Sequence, residues 1–207
     1  KSTLMTDQPT LLALAQDIKR WGMALGFNQI GITDTNLQEA EAHHQAWIAK
    51  GFHGEMDYMA KHGLKRTRPE ELVPRTLRVI SARLDYLPAN ALASDEVLND
   101  SSRAFISRYA LARDYHKVMR QRLQQLANRL QDHIGPTGHR VFTDSAPVLE
   151  VELAQRSGLG WRGKHTLLLN REGGSMFFLG EVFIDLALDP TPAQSPHCGT
   201  CNACIDV

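Results

Sequence analysis

Cysteine is scarce in these 207 residues: there are three, all lying between Cys198 and Cys204. That number and placement exclude a disulfide framework, which spreads paired cysteines through a small secreted fold. Long apolar runs are missing too. No stretch approaches the ~18 uninterrupted apolar residues of a membrane-spanning helix, and Lys1 to Thr10 hold no run of signal-peptide type, so the expectation is a cytoplasmic chain with no membrane partner. Net charge is absent as well: 23 basic side chains balance 23 acidic ones, which removes any whole-chain electrostatic case for nucleic acid. No fixed-period repeat or low-complexity tract occurs, which sets aside solenoid and disordered classes. What is present, 43% hydrophobic and 22% charged residues, suits one main globular core.

Charge is less even locally. Lys61, Lys65, Arg66, Arg68, Arg75, Arg78 and Arg83 face only Glu70 and Glu71 in the same stretch. A run of this kind is either a solvated face or a surface that contacts phosphates.

Periodicity orders the elements. Leu11, Leu12, Leu14, Ala15, Ile18, Trp21 and Leu25 recur at helical spacing and Gly26 closes them, predicting a first helix. Gln29 to Thr33 reads as a strand, Leu37 to Lys50 as a helix stopped by Gly51, and Leu77 to Leu87 as a strand closed by Pro88. Ala89 to Ser102 is polar and irregular, the pattern of a surface loop. Asp114 to Ile134 predicts a long helix ended by Gly135-Pro136. After a strand at Arg140 to Thr143, Asp144-Ser-Ala-Pro147 offers N-cap candidates and an early-turn proline for a helix running to Ser157. Thr166 to Asn170 and Ser175 to Leu188 read as two strands joined by the glycine-rich Arg171 to Gly174 connection. The fold class expected is α+β, a mixed sheet with flanking helices over residues 1–189, followed by a proline-rich linker and cysteine segment over 190–207.

Cys198-Gly-Thr-Cys201-Asn-Ala-Cys204 has the spacing of a bacterial-type iron–sulfur motif, in which short loops let successive thiolates converge on one cubane. Such a motif continues with a cysteine at the position just past Val207. In two-cluster proteins the remaining ligand comes from a distant second motif, so the full ligand set of neither cluster lies in this sequence. Structural zinc, with His197 beside Cys198, is the alternative, although zinc ribbons usually pair two CxxC arms across a longer gap.

Several stretches together resemble the epoxyqueuosine reductase family, and the likeness runs from Leu11 to Val207. They are Gly54-Glu-Met-Asp-Tyr-Met59, Ser107-Arg-Tyr-Ala-Leu-Ala-Arg-Asp-Tyr-His116, Thr143-Asp-Ser-Ala-Pro-Val-Leu-Glu150, Gly158-Leu-Gly-Trp-Arg-Gly-Lys-His165 and Phe177-Phe-Leu-Gly-Glu181. The resemblance implies a cobalamin-binding core akin to reductive dehalogenases and the start of a ferredoxin-like module carrying 4Fe-4S clusters, with Cys198, Cys201 and Cys204 as ligands. It implies a tRNA bearing epoxyqueuosine as substrate, an electron donor such as ferredoxin or flavodoxin, and a monomer. The implied reaction is reduction of the epoxide to the alkene of queuosine with loss of water.

The same resemblance assigns Asp144 as proton donor, a role that calls for an apolar pocket, with Phe142, Pro147 and Trp161 as candidate walls, to lift its pKa. On residue pattern alone Asp144 is equally an N-cap. Cofactor contacts carried over are Arg66, Arg108, Leu149, Glu150, Val151, Lys164, Leu168, Asn170, Leu179 and Glu181, each with a plainer alternative as core packing or an exposed ion pair. His116 is expected to pack or hydrogen-bond on its helix. Two other readings stay open: a cobalamin-dependent reductase of the dehalogenase type acting on a small molecule, and a non-catalytic iron–sulfur or zinc module.

Overall fold

The computed structural model describes residues 8–206. Its centre is a four-stranded sheet of order β1-β2-β6-β3, built from β1 (Gln29–Thr33), β2 (Arg78–Asp85), β3 (His139–Phe142) and β6 (Phe177–Ile184). β4 (Trp161–Arg162) and β5 (Leu168–Leu169) make a separate short ladder. The α+β class is as the pattern predicts, but every pairing is antiparallel, so the sheet is not mixed. Adjacent strands run antiparallel here because long loop-and-helix excursions return the chain in the opposite sense rather than through parallel crossovers.

Alternation along the strands divides the core in two. Ile30, Ile32, Ile80, Ala82, Val182 and Ile184 face α1 (Gln8–Ala24) and α6 (Tyr115–Ile134), which bring Leu14, Ile18, Trp21, Met119, Leu123, Leu126 and Leu130 onto them. Burial of a side chain of this size contributes ~1.5–3 kcal/mol. α6 starts where the Asp114 carboxylate accepts the His116 amide and stops at Gly135 (φ 92°), ahead of Pro136. The opposite face, with Val79 and Phe183, is covered by α7 (Glu150–Arg156). Here β1 runs so close to the end of α7 that a Cβ at Gly31 would sit 1.9 Å from the Ser157 carbonyl oxygen.

Four shorter helices lie in the connections: α2 (Gln38–Ala49), α3 (Tyr58–Lys61), α4 (Pro69–Leu72) and α5 (Ser94–Leu98). α5 interrupts the expected loop, with Asp95 and Glu96 in its first turn where the helix dipole favours acids. Two other local expectations are corrected. Asp144 is no N-cap: it has a left-handed backbone (φ 59°), and α7 begins only at Glu150, after Pro147 has held Ala146 away from helical angles. The two strands around the Arg171 to Gly174 turn do not form one hairpin, because β5 pairs with β4 while β6 joins the main sheet; among the described residues a single Asn170–Gly174 bridge is the only backbone pairing across the turn. Past β6, the chain returns along the outer edge of β1. The Thr191 amide donates to the Ile32 carbonyl, and the Ile32 amide donates to Thr191 Oγ1.

Candidate active site

Asp144 stands at the end of β3, on a loop that runs between α6 and the start of α7. Tyr115 Oη donates to its Oδ2 at 2.6 Å, and His116 Nε2 lies 3.0 Å from the same oxygen. Tyr115 is set in place by parallel stacking on Phe178 of β6, with ring centroids 4.0 Å apart. His116 is held from its other side by Asp114, whose Oδ1 is 3.1 Å from Nδ1. The expected apolar pocket is not observed: the Asp144 side chain is 56% exposed. Phe142 packs into the core under α7, and Trp161 stacks edge-on against His197. The hydrogen bond from Tyr115 holds the Asp144 carboxyl below its ordinary pKa, with partial burial opposing and His116 reinforcing it. The Tyr115 phenol is pushed up in turn, by burial first and by Asp144 second.

Beneath this loop lie two more carboxyls. Glu150, the first residue of α7, accepts the Asp144 amide on Oε1 at 2.6 Å. Glu181, in the middle of β6, is wholly buried, and among the described residues neither of its oxygens meets an N–H donor. Burial raises the Glu150 pKa to about 7, and burial together with the charge of Glu150 raises Glu181 well above its ordinary value.

A cavity of about 650 Å³ opens on the far side of Glu150, walled by α2, by the start of α7 and by Arg66. Of the cofactor contacts expected from sequence, it gathers Arg66, Leu149, Glu150 and Val151. Arg66 is buried, donates to the Tyr58 carbonyl at 3.1 Å, and leaves its Nε without a partner among the described residues. His44 in the same wall has a buried Nε2 likewise unpartnered, and burial next to Arg66 lowers its pKa.

The remaining expected contacts are engaged elsewhere. Leu168 is core, and Leu179 packs on the same cluster. The Asn170 amide group donates to the Gln29 side chain and the Leu159 carbonyl, while its oxygen accepts the Glu172 and Gly173 amides. Arg108 donates to the Leu92 carbonyl. Lys164 reaches the cysteine segment, donating to the Gly199 carbonyl at 3.1 Å and to Asn202 at 2.8 Å. Cys198, Cys201 and Cys204 are free thiols, and among the described residues no three His, Cys, Asp or Glu side chains converge as a metal site.

The basic run is largely consumed internally rather than presented to phosphates. Arg68 pairs with Glu41 and Glu71, Arg75 with Asp185 and buried Arg83 with Asp85, while Arg78 donates to the Leu188 carbonyl. Two other guanidiniums, Arg120 and Arg140, instead border a 300 Å³ pocket shared with Ser145, Ala146 and Pro147 of the Asp144 loop. Sequence reasoning did not single them out, nor Tyr115 as a partner of Asp144, because these residues come together only through the sheet. No described helix is long and apolar enough to cross a membrane.

Solved structures with the same fold define the class. An epoxyqueuosine reductase with an epoxyqueuosine-modified tRNA-Tyr stem loop superposes with a TM-score of 0.77 at 21% identity, over 94% of this chain and 51% of that one. The Bacillus subtilis enzyme, described with its catalytic aspartate loop swung out of the active site, gives 0.74 at 21% identity over 94% and 51%. A reductive dehalogenase associated with B12-dependent dehalogenation gives 0.54 at 16% identity, over 95% of this chain and 22% of that one. The fold is therefore the core shared by epoxyqueuosine reductases and reductive dehalogenases.

Sequence narrows this further. Epoxyqueuosine reductase of Pseudomonas aeruginosa is 59% identical over 96% of the chain, and that of Escherichia coli 53% identical over 98%. The family profile described as epoxyqueuosine reductase QueG, DUF1730, matches residues 66–145. Over nearly its whole length the chain is similar to proteins named epoxyqueuosine reductase. It spans about half the length of the curated relatives it matches, 55% and 53% of these two.

Proposed function

We propose that this chain is the cofactor-binding and proton-delivering part of an epoxyqueuosine reductase, which converts epoxyqueuosine to queuosine at the wobble position of tRNA. The observation that carries the reading is Asp144: a carboxyl on a left-handed loop, exposed on one side and held on the other by Tyr115 and His116, with its amide bonded to Glu150, which lines a 650 Å³ cavity. The reaction breaks both C–O bonds of the epoxide and takes up two electrons and two protons, so that the oxygen leaves as water. Asp144 would hand a proton to that oxygen once substrate and cofactor cover its exposed side and lift its lowered pKa, and Tyr115 and His116 would steady the carboxylate that results.

The cavity suits cobalamin. Its unpartnered Arg66 Nε and His44 Nε2 are buried polar groups that a ligand rich in amides and carrying a phosphate would satisfy. Arg66, Leu149, Glu150 and Val151 would hold the group there, which when bound supplies the low-potential reductant that side chains lack. Ligation of a 4Fe-4S cluster by Cys198, Cys201 and Cys204 rests on their spacing and on the Lys164 tether, and it requires further ligands. The tRNA substrate finds support in Arg120 and Arg140, which place two guanidiniums beside the Asp144 loop where an anticodon backbone would pass.

The test is Asp144→Asn in a protein supplied with the complete cysteine set, assayed on epoxyqueuosine-bearing tRNA. Asparagine keeps the shape and the left-handed tolerance but delivers no proton, so turnover should fall by ~10²–10⁴ while cobalamin retention on gel filtration stays at the wild-type level. Near-wild-type turnover removes Asp144 from the chemistry. Cobalamin lost from a folded Arg66→Ala variant supports the cavity as its site, and cobalamin kept at full occupancy moves the site elsewhere.

A further inference from the structure

The second face of the sheet is apolar above and below one point. On β6, Leu179 and Phe183 pack under α7, and between them stands Glu181, wholly buried. Ser81 lies directly opposite on β2, its hydroxyl also buried and without a partner among the described residues. Glu150, the first residue of α7, comes close enough to Glu181 for each carboxyl to act on the other's ionisation. Two carboxylates cannot both carry charge at such a place, because mutual repulsion adds to the loss of hydration.

The two sites differ in what they offer an anion. Glu150 has a donor, the Asp144 amide, and is only partly buried. Glu181 has none among the described residues, so its charged form would be stranded. The proton belongs on Glu181, whose O–H then donates to Glu150.

The structure assigns to Glu150 and Glu181 one shared proton, and to the pair the task of latching the Asp144 loop. Glu181 fixes the Glu150 carboxylate, and Glu150 in turn grips the Asp144 amide, tying the loop's first residue to the first residue of the helix that follows. That grip holds Asp144 in its left-handed turn (φ 59°), a conformation that L-residues other than glycine rarely adopt. Both are positioning residues. Significance for catalysis rests on the reading of Asp144 as proton donor, but the latch is a property of the folded chain alone. The groups facing the pair are Asp144 on its loop, Tyr115 and His116 on α6, Arg66 across the cavity and Arg83 further along the same face of β2.

The test uses the 207-residue chain without cofactor or RNA, so its outcome is independent of the proposed reaction. Infrared titration of the wild-type protein at pH 8, where isolated carboxyls are ionised, should show a carbonyl band from one protonated carboxyl; a spectrum with none overturns the proposal. Glu181→Gln should remove that band, and a band that persists in this variant also overturns it. In hydrogen exchange, Glu150→Ala should speed exchange of the Asp144 amide about tenfold, the worth of one charge-assisted hydrogen bond. Glu150→Gln, which keeps an acceptor oxygen, should restore most of the protection. Equal exchange in all three proteins means that no latch exists. Should Glu181→Gln fail to fold, the wild-type band and the Glu150 variants decide the matter.

Discussion

At the scale of single residues, the site is governed by opposed carboxyl environments a few ångströms apart. Asp144 is held low by Tyr115, whereas Glu150 and Glu181 are pushed up by burial. The signs for stability follow. A carboxyl whose pKa falls on folding stabilises the fold above its unfolded value, and that contribution is lost as pH drops through the folded pKa. For Asp144 the loss therefore comes below its ordinary value of 3.8. A raised carboxyl acts oppositely: from about 4.5 upward the unfolded chain sheds a proton that the folded one keeps, so stability declines toward the folded pKa, about 7 for Glu150. Tyr115→Phe isolates the first effect, since it keeps the stacking on Phe178 and deletes only the donor. The Asp144 carboxyl should then titrate at a higher pH by NMR, and the urea midpoint should fall less between pH 5 and pH 3 than in wild type. An unchanged Asp144 titration would mean that the phenol donates nothing to it.

At the scale of elements, much of the frame was legible. The recurrence of Leu14, Ile18, Trp21 and Leu25 marks α1 and that of Val118, Leu126, Leu130 and Ile134 marks α6, although the stripe that α6 lays on the sheet runs through Met119, Leu123, Leu126 and Leu130. The Glu181 anomaly was visible as well, a lone acid in the apolar run Phe177 to Ile184, though its partner was not, since Glu150 arrives from another element. What misled was local chemistry. Asp-Ser-Ala-Pro offers good capping residues, yet the loop's geometry is set by the Glu150 contact at long range rather than by a helix that starts beside it. Likewise, the Arg171 to Gly174 turn looks like a hairpin, but Asn170 spends its side chain clamping that turn and β5 takes a different partner.

The same scale supplies a test of how α7 is placed. Gly31 has no left-handed angle to explain it; its reason is close approach, with Ser157 at the end of α7 pressed against β1. Gly31→Ala should destabilise the protein by about 3 kcal/mol, the upper range for an overpacked core, as read from urea denaturation. Displacing α7 moves Glu150 as well, so the Asp144 amide should lose exchange protection in parallel. A neutral substitution would show that β1 and α7 separate without cost.

At the scale of the whole molecule, neutral net charge conceals a division of labour. Most arginines of the Lys61 to Arg83 run are tied to acids or carbonyls, while Arg120 and Arg140 border the pocket beside the Asp144 loop and form no ion pair among the described residues. On the proposed function, RNA binding should therefore depend on a few guanidiniums. Replacing Arg120 and Arg140 by glutamine should weaken binding of an anticodon stem loop and reduce the log–log salt slope by ~0.7 for each phosphate that the protein no longer neutralises. A slope equal to wild type places the RNA backbone elsewhere on the chain.

The strap along β1 carries a last implication, for topology and for handling of the protein. Because Thr191 occupies both outward hydrogen-bonding groups of Ile32, the segment leading to the cysteines doubles as a cover for an open sheet margin. A cut ahead of Thr191 would do more than detach the cysteine segment: it would leave β1 as a bare template, inviting a second molecule to add its own strand there.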